Sequence, residues 1–342
     1  MKVLVTGGAG FVGTNLCQEL ALRNHQISII DNLRTGLIEN LADIPCDFIQ
    51  ADIMDCNPSC FDEKQLVIHA AAIPACNSSH FFPVADAQDN YLVGLKVLEN
   101  IIAANVQKVI LISSASVYGN ADFPWTESSI PLPRDPYGHH KLMLEQMFQM
   151  YAKIHGFKLM IIRPQHLFGK FQRPDLIYRN VVSKWIQYSI SGHPLPVYGS
   201  VSLSRAFTPI SLFSRAVCEL IERDQWNSSL WNIGTSKVRS LKEVITSIQA
   251  RFDHPIQIAL KPAPPALLNL AVASTTKQME TLHIDEDSFE WENCLAELHH
   301  WIMSRPWTES CPVIPSTEAA KFQAIYEGMP TPTQALSKNA SS

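Results

Sequence analysis

Short apolar runs punctuate the first half of the chain. Residues 1–6, 27–30, the pair Phe48 and Ile49, 65–69, 109–112 and 158–162 are each brief and mostly rich in Val, Ile and Leu. They do not alternate polar with apolar positions, so each reads as a strand covered on both faces. The stretches between several of them carry helical spacing instead. Residues 14–24 suit a helix, 89–104 place Val93, Val97, Leu98 and Ile101 on one stripe, and 137–155 suit another helix. Strands alternating with helices predict an α/β fold with a doubly wound parallel sheet. After Gly169 the rhythm degrades. Residues 171–202 read as loops with Tyr178, Trp185, Tyr188 and a turn at Gly192. Helices are expected at 211–223, 241–252 and 291–301, a short strand at 230–233 and a rigid proline loop at 262–265. The tail beyond Cys311 is polar and dotted with proline, and no internal repeat occurs.

The first strand runs straight into Gly7-Gly8-Ala9-Gly10-Phe11-Val12-Gly13, a helix follows, and the second strand ends on Asp31. Strand, glycine turn, helix, strand and acid form the dinucleotide-binding arrangement of a Rossmann-type sheet. Gly7 allows the turn, Gly10 admits a pyrophosphate, and Gly13 lets helix and strand pack closely, with the helix N-terminus facing the phosphates. Asp31 is placed to hold both hydroxyls of an adenosine ribose, which favours NAD over NADP, with Arg34 close enough to weigh the other way. The same glycines also suit a tight turn in another doubly wound fold.

Further polar groups sit beyond later strands. Asp52-Ile53 reads as an adenine neighbour or as a solvated loop acid. Ala70-Ala71-Ala72 leaves room for a flat ligand or for tight helix packing, and Asn90 caps the next helix or supports a loop. Ser113-Ser114-Ala115-Ser116 is a turn or a substrate contact. Tyr137 and Lys141 share one helix face. An ammonium there favours the phenolate and lowers the tyrosine pKa; the alternative is a surface tyrosine lying over a lysine stem.

Composition excludes several classes. The formal net charge of −5 and the absence of a basic block give no reason to expect nucleic acid. No apolar run is long enough to span a membrane, and the glycines interrupt any signal-peptide reading of the start. Eight cysteines form no compact framework, and Cys56 and Cys60 lack a second matching pair, so no metal is expected and a reducing, cytoplasmic setting fits.

Taken together, the glycine signature, Asp31-Asn32-Leu33, Asp52-Ile53, His69 to Ala72, the serine cluster, Tyr137 with Lys141, and Arg163-Pro164 resemble the extended short-chain dehydrogenase/reductase family, in its NAD-dependent epimerase/dehydratase branch. The resemblance covers roughly residues 1–305. It implies a Rossmann-type domain over 1–165, with a return of 206–257 to it. A smaller, C-terminal substrate-binding region would comprise 166–205 and 258–310, and 311–342 would be a tail. It implies NAD held by Gly7, Gly10, Phe11, Val12, Gly13, Asp31, Asn32, Asp52, Ile53, Ala70, Ala71, Ala72, Asn90, Tyr137 and Lys141. The catalytic residues carried over are Ser114, Tyr137 and Lys141. Ser79, Ser114, Ser116, His166, Arg205 and Ala271 would meet a nucleotide-diphosphate sugar, a UDP-sugar first of all.

Dehydratases of the branch carry Asp-Glu where this chain has Ala115-Ser116, and decarboxylases carry Glu there, so the resemblance favours epimerisation at C4 through a 4-keto sugar. A net NAD(P)-dependent dehydrogenase or reductase using the same Tyr-Lys pair is the alternative, and a non-catalytic NAD-binding regulatory protein a third. His166 stands where the family has asparagine, Ala206 replaces an aspartate, and Pro264 and Leu267 replace an arginine and an aspartate of the diphosphate clamp. Ala271 stands where a gate over the sugar C2 substituent is found, and its small size implies room for an acetamido group. A homodimer is expected through a four-helix bundle built from 89–104 and 137–155.

Overall fold

The computed structural model of the chain describes residues 1–307 apart from 75, 177–180, 227–229 and 264–269. Seven parallel strands make its central sheet: β1 (Lys2–Thr6), β2 (Gln26–Asp31), β3 (Cys46–Gln50), β4 (Leu66–His69), β5 (Lys108–Ile112), β6 (Lys158–Pro164) and β7 (Leu230–Ile233), in the order β7-β6-β5-β4-β1-β2-β3. The unbroken apolar runs follow from this setting. Val3 and Val5 of β1 point into a core with Leu16 and Leu20, while Leu4 points into a second core with Val97, Leu144 and Phe148.

Helices α1 (Phe11–Leu22) and α5 (Ile210–Glu222) pack together beside the first core. Helices α2 (Val93–Ala103) and α3 (Pro136–His155) pack together over the second. Chain order reverses at β1, which pairs with β2 on one side and β4 on the other. Ligands of doubly wound sheets bind in the crevice at such a reversal, beyond the carboxyl ends of the strands.

Three elements differ from the pattern-based expectation. Helix α1 starts at Phe11 rather than at residue 14, with Gly10 as its N-cap, so its first N–H groups face the glycine turn directly. The stretch before α2 is a π-helix, Ala87–Leu92. The region read as loops holds a helix, α4 (Val181–Ile190), and a strand, Leu195–Tyr198. Val182, Trp185, Ile186 and Ser189 form the buried stripe of α4, and this short stripe among serines is what a loop reading overlooks. The tail beyond 307 and the positions 264 and 267 lie outside the described residues. Among the described residues no helix is long and apolar enough to cross a membrane.

Candidate active site

A cavity of about 690 Å³ opens at the reversal point. Its floor is the glycine turn. Gly7 has φ +72°, and a Cβ there would lie 2.6 Å from the Ala71 Cα. At Gly13 a Cβ would lie 2.2 Å from the Gly7 carbonyl oxygen. Both positions therefore exclude any side chain for the sake of the fold. Gly10 is different. Its φ of −79° suits any residue, and a Cβ would meet no heavy atom beyond its neighbours except the Gly7 oxygen, at 3.2 Å. It lines the cavity with Phe11 and Val12 at the start of α1, where a Cβ would fill space facing the helix N-terminus. An anion fits that cradle.

The Asp31 carboxylate sits at the end of β2 and accepts the N–H of Ala9 at 3.0 Å and of Leu33 at 2.8 Å. Burial raises its pKa, and the N–H groups of Leu33, Ala9 and Gly10 oppose the rise. The Asn32 amide donates to Asp52 at 2.9 Å, and Asp52 also accepts the Met54 N–H at 2.9 Å. Asn32, Asp52, Ile53 and the three alanines 70–72 all line the cavity.

The opposite wall carries the hydroxyls. Strand β5 delivers Ser114, whose hydroxyl donates to the Ser116 oxygen at 3.0 Å. Helix α3 delivers Tyr137 and Lys141. Its start is fixed by the Asp135 carboxylate, which accepts the Gly138 N–H at 2.8 Å, and by Pro136 in the first turn. Tyr137 is buried and lines the same wall as Ser114. The Lys141 ammonium donates to the Ile112 carbonyl at 3.0 Å. His166, Arg205 and Ala271 close the far end.

Two residues expected at the ligand do not line the cavity directly. Ser79 does not line the cavity; its hydroxyl accepts the Tyr137 N–H at 3.2 Å and donates to the Cys76 carbonyl at 2.8 Å, so it anchors the start of α3. Asn90 does not line it either. Its amide oxygen accepts the Ile73 N–H at 2.9 Å and its amide nitrogen donates to the Ile73 carbonyl at 3.1 Å, which supports the loop after β4, the second of the two readings of this residue.

The chain's own groups raise the Tyr137 pKa, whereas the expected lowering rests on Lys141 together with an oxidised nicotinamide. Burial pushes the phenol well above its ordinary range. Cys76, Asp86 and Asp135 push the same way, and the Ser114 hydroxyl opposes them. Burial likewise pushes Lys141 down to about 8, against Asp86 and Glu145. His166, at φ +39°, is held neutral, its pKa pushed down to about 3 by burial and by Arg205. Its Nδ1 is buried without a hydrogen-bond partner. Burial brings Arg205 down to about 10, and its guanidinium donates to the Ser204 carbonyl at 2.7 Å.

The pattern that defines the NAD dependent epimerase/dehydratase family matches residues 3–234. The chain belongs to that family. It is similar to the UDP-glucose 4-epimerase of Halalkalibacterium halodurans, 26% identical over 330 residues, which span 90% of this chain and 97% of that protein. Among solved structures it resembles the UDP-N-acetylglucosamine 4-epimerase of Methanobrevibacter ruminantium M1 in complex with UDP-N-acetylmuramic acid. The TM-score is 0.80 at 27% identity, over 89% of this chain and 98% of that one. It also resembles the UDP-glucuronic acid 4-epimerase from Bacillus cereus, in complex with UDP-glucuronic acid and NAD. That TM-score is 0.79 at 26% identity, over 89% of this chain and 99% of that one.

Within this family member the cavity also holds groups that the motifs did not single out. Cys76 approaches the Ser116 hydroxyl at 3.3 Å. Asp135 combines its capping role with a place on the wall, and Lys184 and Trp185 reach the cavity from α4. The Asp-Pro pair before Tyr137 is a legible start signal for a helix; nothing comparable marks Cys76. The two glycine roles separate in a test. Gly10→Ala should keep its melting temperature within about 3 °C of wild type, because only one contact tightens. Gly13→Ala should lower it by about 10 °C or more, because backbone must move. Calorimetry of both variants decides; equal losses would contradict the assignment.

Proposed function

We propose that this chain epimerises a nucleotide-diphosphate sugar at C4, with NAD as its bound cofactor. The observation that carries the reading is one cavity holding the Gly10 cradle and Asp31 at one end and Ser114, Tyr137 and Lys141 at the other. The residues present fit the cofactor. The helix N-terminus at Gly10 to Gly13 receives the pyrophosphate, Asp31 receives the adenosine ribose, and Lys141 receives the second ribose. When bound, NAD supplies the acceptor that takes the C4 hydrogen as hydride and returns it, so no net oxidation remains.

Tyr137 takes the proton of the sugar C4 hydroxyl and gives it back after the flat 4-keto sugar has turned. The Ser114 hydroxyl steadies the C4 oxygen as charge develops on it. The Lys141 ammonium supplies positive charge on the same helix face. His166 is neutral at working pH and acts as a hydrogen-bonding group rather than as an acid. No carboxylate pair stands at positions 115 and 116, which disfavours dehydration. Ala271 lines the cavity with a small side chain and supports room for an acetamido group on C2. In this reading 1–165 and 206–257 hold the cofactor, and 166–205 with 258–310 cover the substrate. The described cysteines are all free, in keeping with a place in the cytoplasm.

A homodimer through α2 and α3 completes the proposal. On α3, Met143, Met150 and Ile154 are exposed and share a stripe with half-buried Met147, and Leu92 is exposed at the entry to α2. Equilibrium sedimentation should find a dimer that Met150→Glu weakens. A monomer at micromolar wild-type concentration would count against it.

Tyr137→Phe removes one oxygen and keeps the ring. Turnover under saturating NAD should fall by roughly a hundredfold or more, with fold and NAD binding retained. Ser114→Ala should cost less, and Lys141→Ala should weaken both NAD binding and turnover. The series is read on a UDP-hexose and its 2-acetamido counterpart, with the acetamido sugar accepted at least as well. Near-normal turnover by Tyr137→Phe would sink the mechanism.

A further inference from the structure

The cavity wall near Asp31 contains a charge pair that neither the glycine turn nor the hydroxyl cluster uses. Arg34 lies three residues beyond Asp31, and its guanidinium is paired with the Asp89 carboxylate. Both residues line the cavity together with Asp31, Asn32 and Asp52. The backbone that carries Arg34 is held in place. Leu33, at φ +57°, donates its N–H to Asp31 at 2.8 Å, and Arg34 donates its N–H to the Asn32 side chain at 3.1 Å.

Asp89 is positioned as firmly from the other side. It lies in the π-helix Ala87–Leu92, a form concentrated at functional sites. Asn90, its neighbour, fastens that turn to the loop after β4 through two hydrogen bonds to Ile73. One Asp89 oxygen meets Arg34, and the other is buried without a hydrogen-bond partner. Burial raises the Asp89 pKa, with Arg34 opposing and Asp52 adding to the rise.

We propose that Asp89 determines dinucleotide choice by holding Arg34, the cation best placed to bind a 2′-phosphate, and so keeps the site selective for NAD over NADP. The inference deepens the NAD reading and rests on it. Three carboxylates, Asp31, Asp52 and Asp89, face this end of the cavity with one guanidinium among them. While Arg34 is engaged by Asp89, a phosphate on the ribose meets a net negative wall. An arginine no longer drawn to Asp89 can turn a planar fork that matches phosphate oxygens toward the ribose.

The test is binding of NAD and NADP to the full-length protein by calorimetric titration, in four forms: wild type, Asp89→Asn, Arg34→Gln and the double variant. Asparagine keeps the shape of Asp89, and thermal melting confirms folding. Wild type should prefer NAD. Asp89→Asn should raise the NADP-to-NAD affinity ratio by about tenfold, the scale of one charge-assisted hydrogen bond. That gain should shrink as salt is raised and should vanish in the double variant. An unchanged ratio in Asp89→Asn overturns the proposal while leaving NAD binding intact. A gain that survives in the double variant overturns it as well, because simple removal of a negative charge would then explain the effect. A wild-type protein that binds neither dinucleotide overturns the NAD reading and this inference with it. If Asp89→Asn melts early, Asp89→Ser is read against the same criteria.

Discussion

The Glu145 carboxylate ties together the three elements on which the hydroxyl side of the cavity depends. One oxygen accepts the Ser113 hydroxyl at 2.5 Å and the Arg163 Nε at 2.9 Å, and the other accepts Arg163 Nη2 at 2.6 Å. Ser113 follows β5, Arg163 lies in β6 and Glu145 lies two turns along α3 from Tyr137. Arg163 also lies over the Tyr118 ring at 4.6 Å, and the Tyr118 hydroxyl donates to Asn232 of β7 at 2.7 Å. Such a buried pair adds little net stability, but removing one partner typically costs about 3–5 kcal/mol. Its consequence here is register. Ser114 is the residue after Ser113, and Lys141 sits one turn before Glu145, so one carboxylate sets the spacing of all three proposed catalytic groups.

The two ends of the cavity have opposite electrostatic character. At the Asp31 end carboxylates dominate, and backbone N–H groups of Leu33, Ala9 and Gly10 oppose the rise that burial imposes on the Asp31 pKa. At the Tyr137 end, burial favours neutral forms: the phenol is pushed up, the Lys141 ammonium is pushed down to about 8 and His166 is neutral. The chain's own groups thus leave the phenol protonated. Making a phenolate requires positive charge beside it, which is the part a bound oxidised nicotinamide plays in the proposed reaction.

The sheet was legible because its strands are buried on both faces, so hydrophobic runs appear with little polar interruption. The glycine turn was legible for a related reason: close approach leaves few residue types possible at Gly7 and Gly13. Helix α4 escaped notice because its buried face includes Ser183 and Ser189, which carry no apolar signal. Ser79 and Asn90 were placed against ligand because spacing reports which residues are near a site, not which way a side chain turns. Both instead satisfy backbone groups of neighbouring segments. Pairing between distant charges, as in Arg34 with Asp89, has no signature in local pattern at all.

The most direct measurement of the central claim uses a UDP-sugar carrying deuterium at C4, incubated with the protein in ordinary water. Transient oxidation with return of the same hydride predicts a C4-inverted product that keeps its deuterium, with no net accumulation of reduced cofactor. Loss of the label to solvent, or a 4-keto product accumulating with reduced cofactor, would contradict the account.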